Sequence, residues 1–321
     1  MRDALLDVRD LAIAYKTRAG DVMAVQAARF TLQQGEVLGV VGESGSGKST
    51  LGLGLLRLLS PPGRVSGGAA WFGGRDLITM PDSAFRALRG DRLAMIFQNP
   101  MSALNPTETI GAQIAETIRT HRQLSREALH DRCVELLELV GIPAPAMRLR
   151  GFPHEFSGGM RQRALIALAL ALEPDLLVAD EPTTALDLTV QAQIVWLLEQ
   201  IQQRARMGLI FITHNLALAG TISHRIAVMY AGWIVEIAPT AEMLRHPAHP
   251  YAQGLIASVP AGHWRERRIR PIPGHAPVGV ADAPGCPFMP RCARATAACG
   301  EAMPPPREVA PGHVVRCVHA G

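Results

Sequence analysis

A glycine-rich segment near the start of the chain has the residue types and spacing of a phosphate-binding loop. Residues 42–50 read GESGSGKST and fit the pattern G-x-x-x-x-G-K-[S/T]. Glycines let the backbone wrap tightly, so that successive N–H groups can hold phosphate oxygens. The Lys48 ammonium is predicted to reach the β- and γ-phosphates, and the Ser49 hydroxyl to bind Mg²⁺. The alternative is a plain glycine- and serine-rich turn, but a strand-like run precedes the segment and a helix-like run follows it. The residues predicted to bind the nucleotide are Gly42, Glu43, Ser44, Gly45, Ser46, Gly47, Lys48, Ser49 and Thr50.

Two adjacent carboxylates follow another short apolar run. Residues 176–179 read LLVA, and Asp180 and Glu181 come next. Asp180, at the carboxyl end of a strand, can bind Mg²⁺ directly or through water, and side-chain alternation turns Glu181 in a different direction. Glu181 could then accept a proton from an attacking water as a general base. A surface Asp-Glu pair opening a turn at Pro182 is the alternative, which a phosphate loop in the same chain disfavours.

The residues that precede this acidic strand point to one family of nucleotide-binding proteins. The run Ser157-Gly158-Gly159-Met160-Arg161-Gln162 resembles the signature motif of ABC-type ATPases. The resemblance covers roughly residues 5–245. The family's other motifs occur in order: an aromatic residue that stacks on adenine (Tyr15), a Q-loop glutamine (Gln98), a D-loop (185–187) and a switch histidine (His214).

The resemblance implies a fold. It is α/β, a P-loop NTPase of the ABC type, with a mainly parallel sheet, an antiparallel β subdomain and an inserted helical subdomain. A small Cys-containing C-terminal extension follows. The expected domains are an ABC ATP-binding domain over residues 1–245, with the helical subdomain at about 85–155, and the extension over residues 246–321.

The resemblance also implies a role for each motif. Ser157, Gly158 and Gly159 are expected at a helix N-terminus that binds the γ-phosphate of an ATP held by the opposite subunit. Gln98 is expected to sense Mg²⁺ and the lytic water, and His214 to hold the γ-phosphate. Asn215 departs from the family pattern, in which an acidic residue often follows the histidine.

Two regions narrow the resemblance to one branch of the family. Residues 97–106 (FQNPMSALNP) resemble the Q-loop region of peptide and nickel importers. Residues 249–251 (HPY), 285–292 (GCPFMPRC) and 313–317 (HVVRC) resemble the C-terminal extension of dipeptide/oligopeptide ABC transporter ATP-binding subunits. The basic stretch over residues 264–270 is interpreted as a solvated linker.

Four of the five cysteines fall in the last 36 residues, with the spacing C-x₅-C-x₆-C-x₁₇-C. Most zinc modules instead use paired C-x₂-C motifs. Four thiolates suit a [4Fe–4S] cluster or Zn²⁺, and a metal would staple a proline-rich segment too short to build a core. Reduced, unligated thiols are the third alternative. The candidate ligands are Cys286, Cys292, Cys299 and Cys317.

The apolar pattern predicts the elements that position these motifs. Residues 85–149 read as helices without a strand, and beyond about Arg245 regular periodicity is lost. Between residue 165 and that point helices and strands alternate, which implies a parallel sheet with helices on both faces. Strands are predicted at 8–15, 28–32, 37–41, 176–179, 209–213, 225–229 and 233–236, and helices at 51–59 and 190–203.

Composition excludes several classes of protein. The 321 residues are 48% apolar and 19% charged, which excludes a wholly disordered chain. The longest near-continuous apolar run, residues 164–172, is shorter than the ~20 residues that a membrane-spanning helix needs. The first residues show no signal peptide, so a cytosolic protein is the default. The formal charge of +4 is weak support for nucleic-acid binding.

Together these features predict an ATP-hydrolysing subunit that energises import of di- or oligopeptides, peripheral on the cytoplasmic face of the inner membrane. The expected cofactors are ATP and Mg²⁺. The expected partners are a second ABC ATPase, in a heterodimer rather than a homodimer, two transmembrane permeases and, indirectly, a solute-binding protein, with no nucleic acid. The alternatives are an importer of nickel, glutathione or another solute, and a soluble ABC ATPase acting on DNA or ribosomes.

Overall fold

The computed structural model describes residues 4–18, 20–184, 186–258, 272–275, 277 and 284–320. The predicted linker at 264–270 lies outside these residues. The strands are β1 (Leu6–Thr17), β2 (Gly20–Leu32), β3 (Val37–Val41), β4 (Gly63–Phe72), β5 (Arg75–Asp76), β6 (Leu93–Ile96), β7 (Leu176–Asp180), β8 (Gly208–Thr213), β9 (Arg225–Tyr230), β10 (Trp233–Pro239), β11 (Arg307–Ala310) and β12 (His313–Val315). The helices are α1 (Lys48–Leu55), α2 (Asp82–Leu88), α3 (Pro100–Ala103), α4 (Ile110–His121), α5 (Arg126–Leu139), α6 (Pro145–Arg148), α7 (Gly158–Ala169), α8 (Leu188–Ala205), α9 (Leu216–Ile222), α10 (Thr240–Arg245), α11 (Pro250–Ser258) and α12 (Ala298–Glu301), with 3₁₀ turns at Pro153–Glu155 and Met289–Arg291.

The chain divides into two compact units, and the first takes the described residues up to Thr79 and from Phe211 onward. One of its sheets is antiparallel, with strand order β2-β1-β4-β5. Irregularities in the register of β1 against both neighbours mark β-bulges, which increase strand twist. This sheet is the antiparallel β subdomain that the family resemblance implies.

A second set of strands in this unit carries the phosphate loop. β3 pairs in parallel with β9, whereas β10 pairs antiparallel with β9 and with β12. β3 is buried along its whole length, as expected for a strand with both faces covered. The sheet is therefore mixed, and its β11 and β12 come from the C-terminal region, where the sequence shows no regular periodicity. α11, α12, β11 and β12 lie in that region.

The second unit runs from Met80 to Ile210 and is mostly helical. Its β6 and β7 pair in parallel. Thr109 caps α4 and Ser125 caps α5, each by a hydroxyl that accepts a first-turn N–H. The prediction that residues 85–149 contain no strand was wrong at Leu93–Ile96. The four residues are too few to show a period, and full burial beside β7 decides their conformation.

Most predicted elements are confirmed with shifted ends. The helix after the phosphate loop begins at Lys48 and ends at Leu55, against the predicted 51–59. Within the part of the chain that the structure describes, no helix combines the length and apolar character that crossing a bilayer requires.

Candidate ATP site

The phosphate loop connects β3 to α1 and is built around Lys48. The Lys48 side chain is 4% exposed, and its Nζ donates to the carbonyl oxygens of Gly42 and Glu43, 2.9 Å from each. Gly47 has φ 98°, and a Cβ there would collide with the carbonyl oxygen of Ala24. This position therefore needs glycine both for its backbone conformation and for its space.

The loop has the chemistry that Mg-ATP requires. Ser44 and Gly45 at its apex are exposed, and the loop leads directly into the N-terminus of α1. A buried ammonium, exposed loop residues and a helix N-terminus together fit a polyphosphate. Ser49, in the first turn of α1, provides the hydroxyl that would bind Mg²⁺.

The acidic pair lies where β7 ends. Asp180 is the last residue of the strand, and both carboxylates are buried, 5% and 9% exposed. Glu181 has φ 44°, a left-handed conformation uncommon outside glycine and typical of functional turns. Its Oε2 accepts hydrogen bonds from Gln98 Nε2 at 3.1 Å and from Thr184 Oγ1 at 2.7 Å. The carboxylate of the predicted base is therefore held by two donors.

Thr184 is a site residue that the sequence reasoning missed. It lies three positions after Glu181, and its N–H also donates to the Glu181 carbonyl oxygen at 3.1 Å. A hydroxyl three residues after a carboxylate in a Pro-containing turn is the signal that could have identified it.

The signature residues form the start of α7. The Ser157 Oγ accepts the N–H of Met160 at 3.3 Å, so Ser157 is the N-cap. Ser157 and Gly158 are exposed, and a Cβ on Gly159 would come within 3.0 Å of Val190 on α8. The helix thus has an accessible N-terminus, where an anion is favoured by the helix dipole.

Tyr15 and His214 lie in the first unit, whereas the predicted D-loop belongs to the second. Tyr15 is half-buried, and its ring packs on Gly63, where an added Cβ would lie 2.6 Å from Tyr15 Cε1. His214 directly follows β8 and is exposed. Asn215, where the family often has an acidic residue, caps α9 by accepting the Leu218 N–H at 3.1 Å. Within the predicted D-loop, Ala185 is outside the described residues and Asp187 caps α8.

The four C-terminal cysteines are free thiols in the part of the chain that the structure describes. Cys299 Sγ lies 3.6 Å from His319 Nε2, and the Cys286 N–H donates to the Cys299 carbonyl oxygen. Burial is the main cause that raises the pKa of the Cys286 and Cys317 thiols, so the protonated thiol is favoured when no metal is bound. Among the described residues, no group of three or more His, Cys, Asp or Glu side chains is placed to hold a metal ion.

Comparison with known proteins agrees with this geometry. Residues 25–184 match the family model "ABC transporter", and residues 235–299 match "Oligopeptide/dipeptide transporter, C-terminal region". A dimeric post-hydrolysis structure of the ATP-binding cassette MJ0796 bound to ADP and Pi has a TM-score of 0.66 at 24% identity, covering 73% of this chain and 98% of that one. The structure of cbiO1 from Clostridium perfringens has a TM-score of 0.64 at 23% identity, covering 76% and 92%. The fold is that of an ABC-type ATPase.

Curated relatives give the branch of the family. The oligopeptide transport ATP-binding protein OppD of Bacillus subtilis is 46% identical over 314 residues, 97% of this chain and 88% of the relative. OppD of Escherichia coli is 43% identical, covering 98% and 93%, and the dipeptide transport ATP-binding protein DppD of Bacillus subtilis is 42% identical, covering 98% and 94%. The chain belongs to the oligopeptide/dipeptide ATP-binding proteins of ABC transporters. It is an ATPase that uses Mg-ATP and pairs with another ATPase subunit on transmembrane permeases.

Proposed function

We propose that this chain hydrolyses ATP to energise import of di- or oligopeptides through an inner-membrane transporter, bound peripherally at the cytoplasmic face. The similarity of 42–46% over nearly the whole chain to peptide-transport subunits carries the proposal. It includes the C-terminal region, which has a family model of its own.

The nucleotide site divides its work between residues that bind and residues that activate water. Lys48 and the loop over residues 42–50 hold the phosphates, and Tyr15 stacks on the adenine. Ser49, Gln98 and Asp180 would hold Mg²⁺, which would supply positive charge to neutralise the phosphates.

Hydrolysis then depends on the acidic strand and the switch histidine. Glu181, oriented by Gln98 and Thr184, takes a proton from the attacking water. His214 contacts the γ-phosphate. The second ATPase presents residues equivalent to Ser157, Gly158 and Gly159 to the same phosphate, and we propose that it is a related chain rather than a second copy.

Two further parts of the proposal concern cargo and partners. A solute-binding protein and two permeases select the cargo, and this chain therefore carries no solute site of its own. An importer of nickel, glutathione or another solute is the alternative to a peptide importer. Nucleic acid is not a partner in this proposal, and copurification with membrane permeases rather than ribosomes or DNA checks that point.

Uptake in cells tests the proposed cargo. A strain lacking this chain should lose uptake of labelled di- or oligopeptides, and a plasmid copy should restore it. A Lys48→Ala copy, as the matched control, should not. Normal peptide uptake in the deletion strain, with uptake of nickel or glutathione lost instead, would contradict the peptide assignment.

Metal binding by Cys286, Cys292, Cys299 and Cys317 stays a prediction. Iron, sulfide and zinc analysis of protein purified without oxygen tests it. About four irons and four sulfides per chain would support a [4Fe–4S] cluster. Colourless protein free of iron and zinc would leave the thiols unligated.

A further inference from the structure

The C-terminal region contacts the phosphate loop at Glu43. Arg291 Nη1 lies 2.7 Å from Glu43 Oε2, and Arg291 Nη2 lies 3.0 Å from Glu43 Oε1. The two parallel bonds form a bidentate pair, the strongest geometry between a guanidinium and a carboxylate. The Arg291 side chain is 7% exposed, and that of Glu43 is 29% exposed. The pair is therefore largely shielded from water.

Arg291 is held in place from several sides. Its Cζ lies 5.7 Å from the ring centre of Tyr230 and 5.8 Å from that of Phe288. Its Nε donates to the Pro273 carbonyl oxygen at 2.7 Å. The arginine ends the 3₁₀ turn Met289–Arg291, whose first N–H donates to the Cys286 carbonyl oxygen. The position of Arg291 is thus set by the segment GCPFMPRC, which supplies none of the predicted nucleotide-binding residues.

A second contact holds the backbone of the same loop residue. The Glu43 N–H donates to Tyr251 Oη at 2.8 Å, and Tyr251 is fully buried. Tyr251 comes from the HPY segment, and its own N–H donates to His249 Nδ1 at 3.0 Å. The N–H of His249 in turn donates to the buried carboxylate of Glu236 at 2.7 Å. The main chain and the side chain of Glu43 are therefore both fixed by the C-terminal region.

Glu43 also contacts the lysine of the phosphate loop, Lys48. The Glu43 carbonyl oxygen accepts a hydrogen bond from Lys48 Nζ at 2.9 Å. A shift of Glu43 would move this acceptor and with it the ammonium. A shielded ion pair is weak evidence for stability, since apolar residues of similar volume often do as well. Its geometric specificity is what an apolar replacement would lose.

We propose that Arg291 and Tyr251 are positioning residues of the ATP site, which hold Glu43 so that the phosphate loop keeps the conformation that binds ATP. This role gives the HPY and GCPFMPRC segments a function at the nucleotide site. The inference rests on the ATPase activity of the proposed function and is independent of the transported solute.

ATP binding and steady-state kinetics of the full chain test the proposal. In Arg291→Gln, which loses a charged pair, the KM and Kd for Mg-ATP should rise by about tenfold or more. In Tyr251→Phe, which loses one neutral hydrogen bond, both constants should rise by less. The kcat should change less than KM, because the contacts hold the loop equally when it binds ATP in the ground state and in the transition state. Arg291→Gln combined with Glu43→Gln should weaken binding no more than the worse single variant, because both remove one pair.

Arg294→Gln is the matched control. Arg294 lies in the same region and donates to the His319 carbonyl oxygen, and among the described residues it forms no hydrogen bond with the phosphate loop. Its KM for ATP should equal that of the wild type. The proposal is overturned if Arg291→Gln and Tyr251→Phe match Arg294→Gln in KM and Kd, even where their melting temperatures fall. Tyr251→Phe removes one hydroxyl and keeps the ring, so it decides the matter should Arg291→Gln fail to fold. Wild-type protein that binds no ATP would instead contradict the proposed function itself.

Discussion

Replacing Thr184 with valine removes one of the two donors to the proposed base and leaves the backbone turn in place. The Thr184 Oγ1 donates to Glu181 Oε2 at 2.7 Å, while the bond from the Thr184 N–H to the Glu181 carbonyl oxygen does not need the side chain. A hydrogen bond to a charged group contributes about 1.5–3 kcal/mol. If that energy orients the carboxylate for proton transfer, turnover should fall by about 10- to 160-fold, since each 1.36 kcal/mol is about tenfold in rate.

ATP turnover at saturating Mg-ATP measures this effect, and the Kd for ATP checks that binding is intact. Thr184→Ser is the matched control because it keeps the hydroxyl, and it should retain most of the activity. The reasoning would be refuted by wild-type turnover in Thr184→Val. It would also be refuted by equal losses in the valine and serine variants, since the hydroxyl would then not be the cause.

Three other predictions test separate parts of the structure. Burial lowers the pKa of His249 from 6.5 to about 4, so between these pH values the imidazole is neutral in the folded protein and protonated in the unfolded chain. The free energy of unfolding should therefore be highest above pH 6.5 and should fall as the pH is lowered towards 4. The loss is about 1.4 kcal/mol per pH unit, and His249→Asn, which cannot titrate, should show a shallower pH dependence in urea unfolding; an unchanged slope would contradict the cause. Gly47→Ala should abolish ATP binding in a calorimetric titration, because its Cβ meets the Ala24 carbonyl; wild-type affinity would show that the loop adapts. Ser157→Asp should keep the N-cap of α7 but repel a phosphate, so ATP-dependent pairing with the partner ATPase should be lost on gel filtration, whereas the neutral cap Ser157→Asn should retain it; pairing by both would exclude a phosphate contact there.

Local chemistry explains which features the sequence predicts. The phosphate loop and the strand before Asp180 combine a short motif with a buried apolar run, and the structure has a strand at both places. Strand β6 escaped prediction because four buried residues carry no period of their own. Leu93, Ala94 and Met95 are also good helix formers, and pairing with β7 overrides that preference.

The contacts of the site depend on residues far apart in the chain. Gln98 and Glu181 share a hydrogen bond across 83 positions. The family resemblance marked Gln98 as a site residue but did not predict this contact. Arg291 and Glu43 are 248 positions apart, and the sequence around either residue does not predict that they pair. The sequence marked the segment around Arg291 through its cysteines and its resemblance to the C-terminal extension. The contact between Arg291 and Glu43 is found only in the structure.

The most direct test of the whole account is the turnover and ATP affinity of Glu181→Gln. The account predicts that this variant binds Mg-ATP with nearly wild-type affinity, because Lys48 and its loop are unchanged. Its turnover should fall by roughly 10²–10⁴-fold, the usual contribution of a positioned base. Hydrolysis at the wild-type rate would contradict the central claim that Glu181 activates the water that attacks ATP.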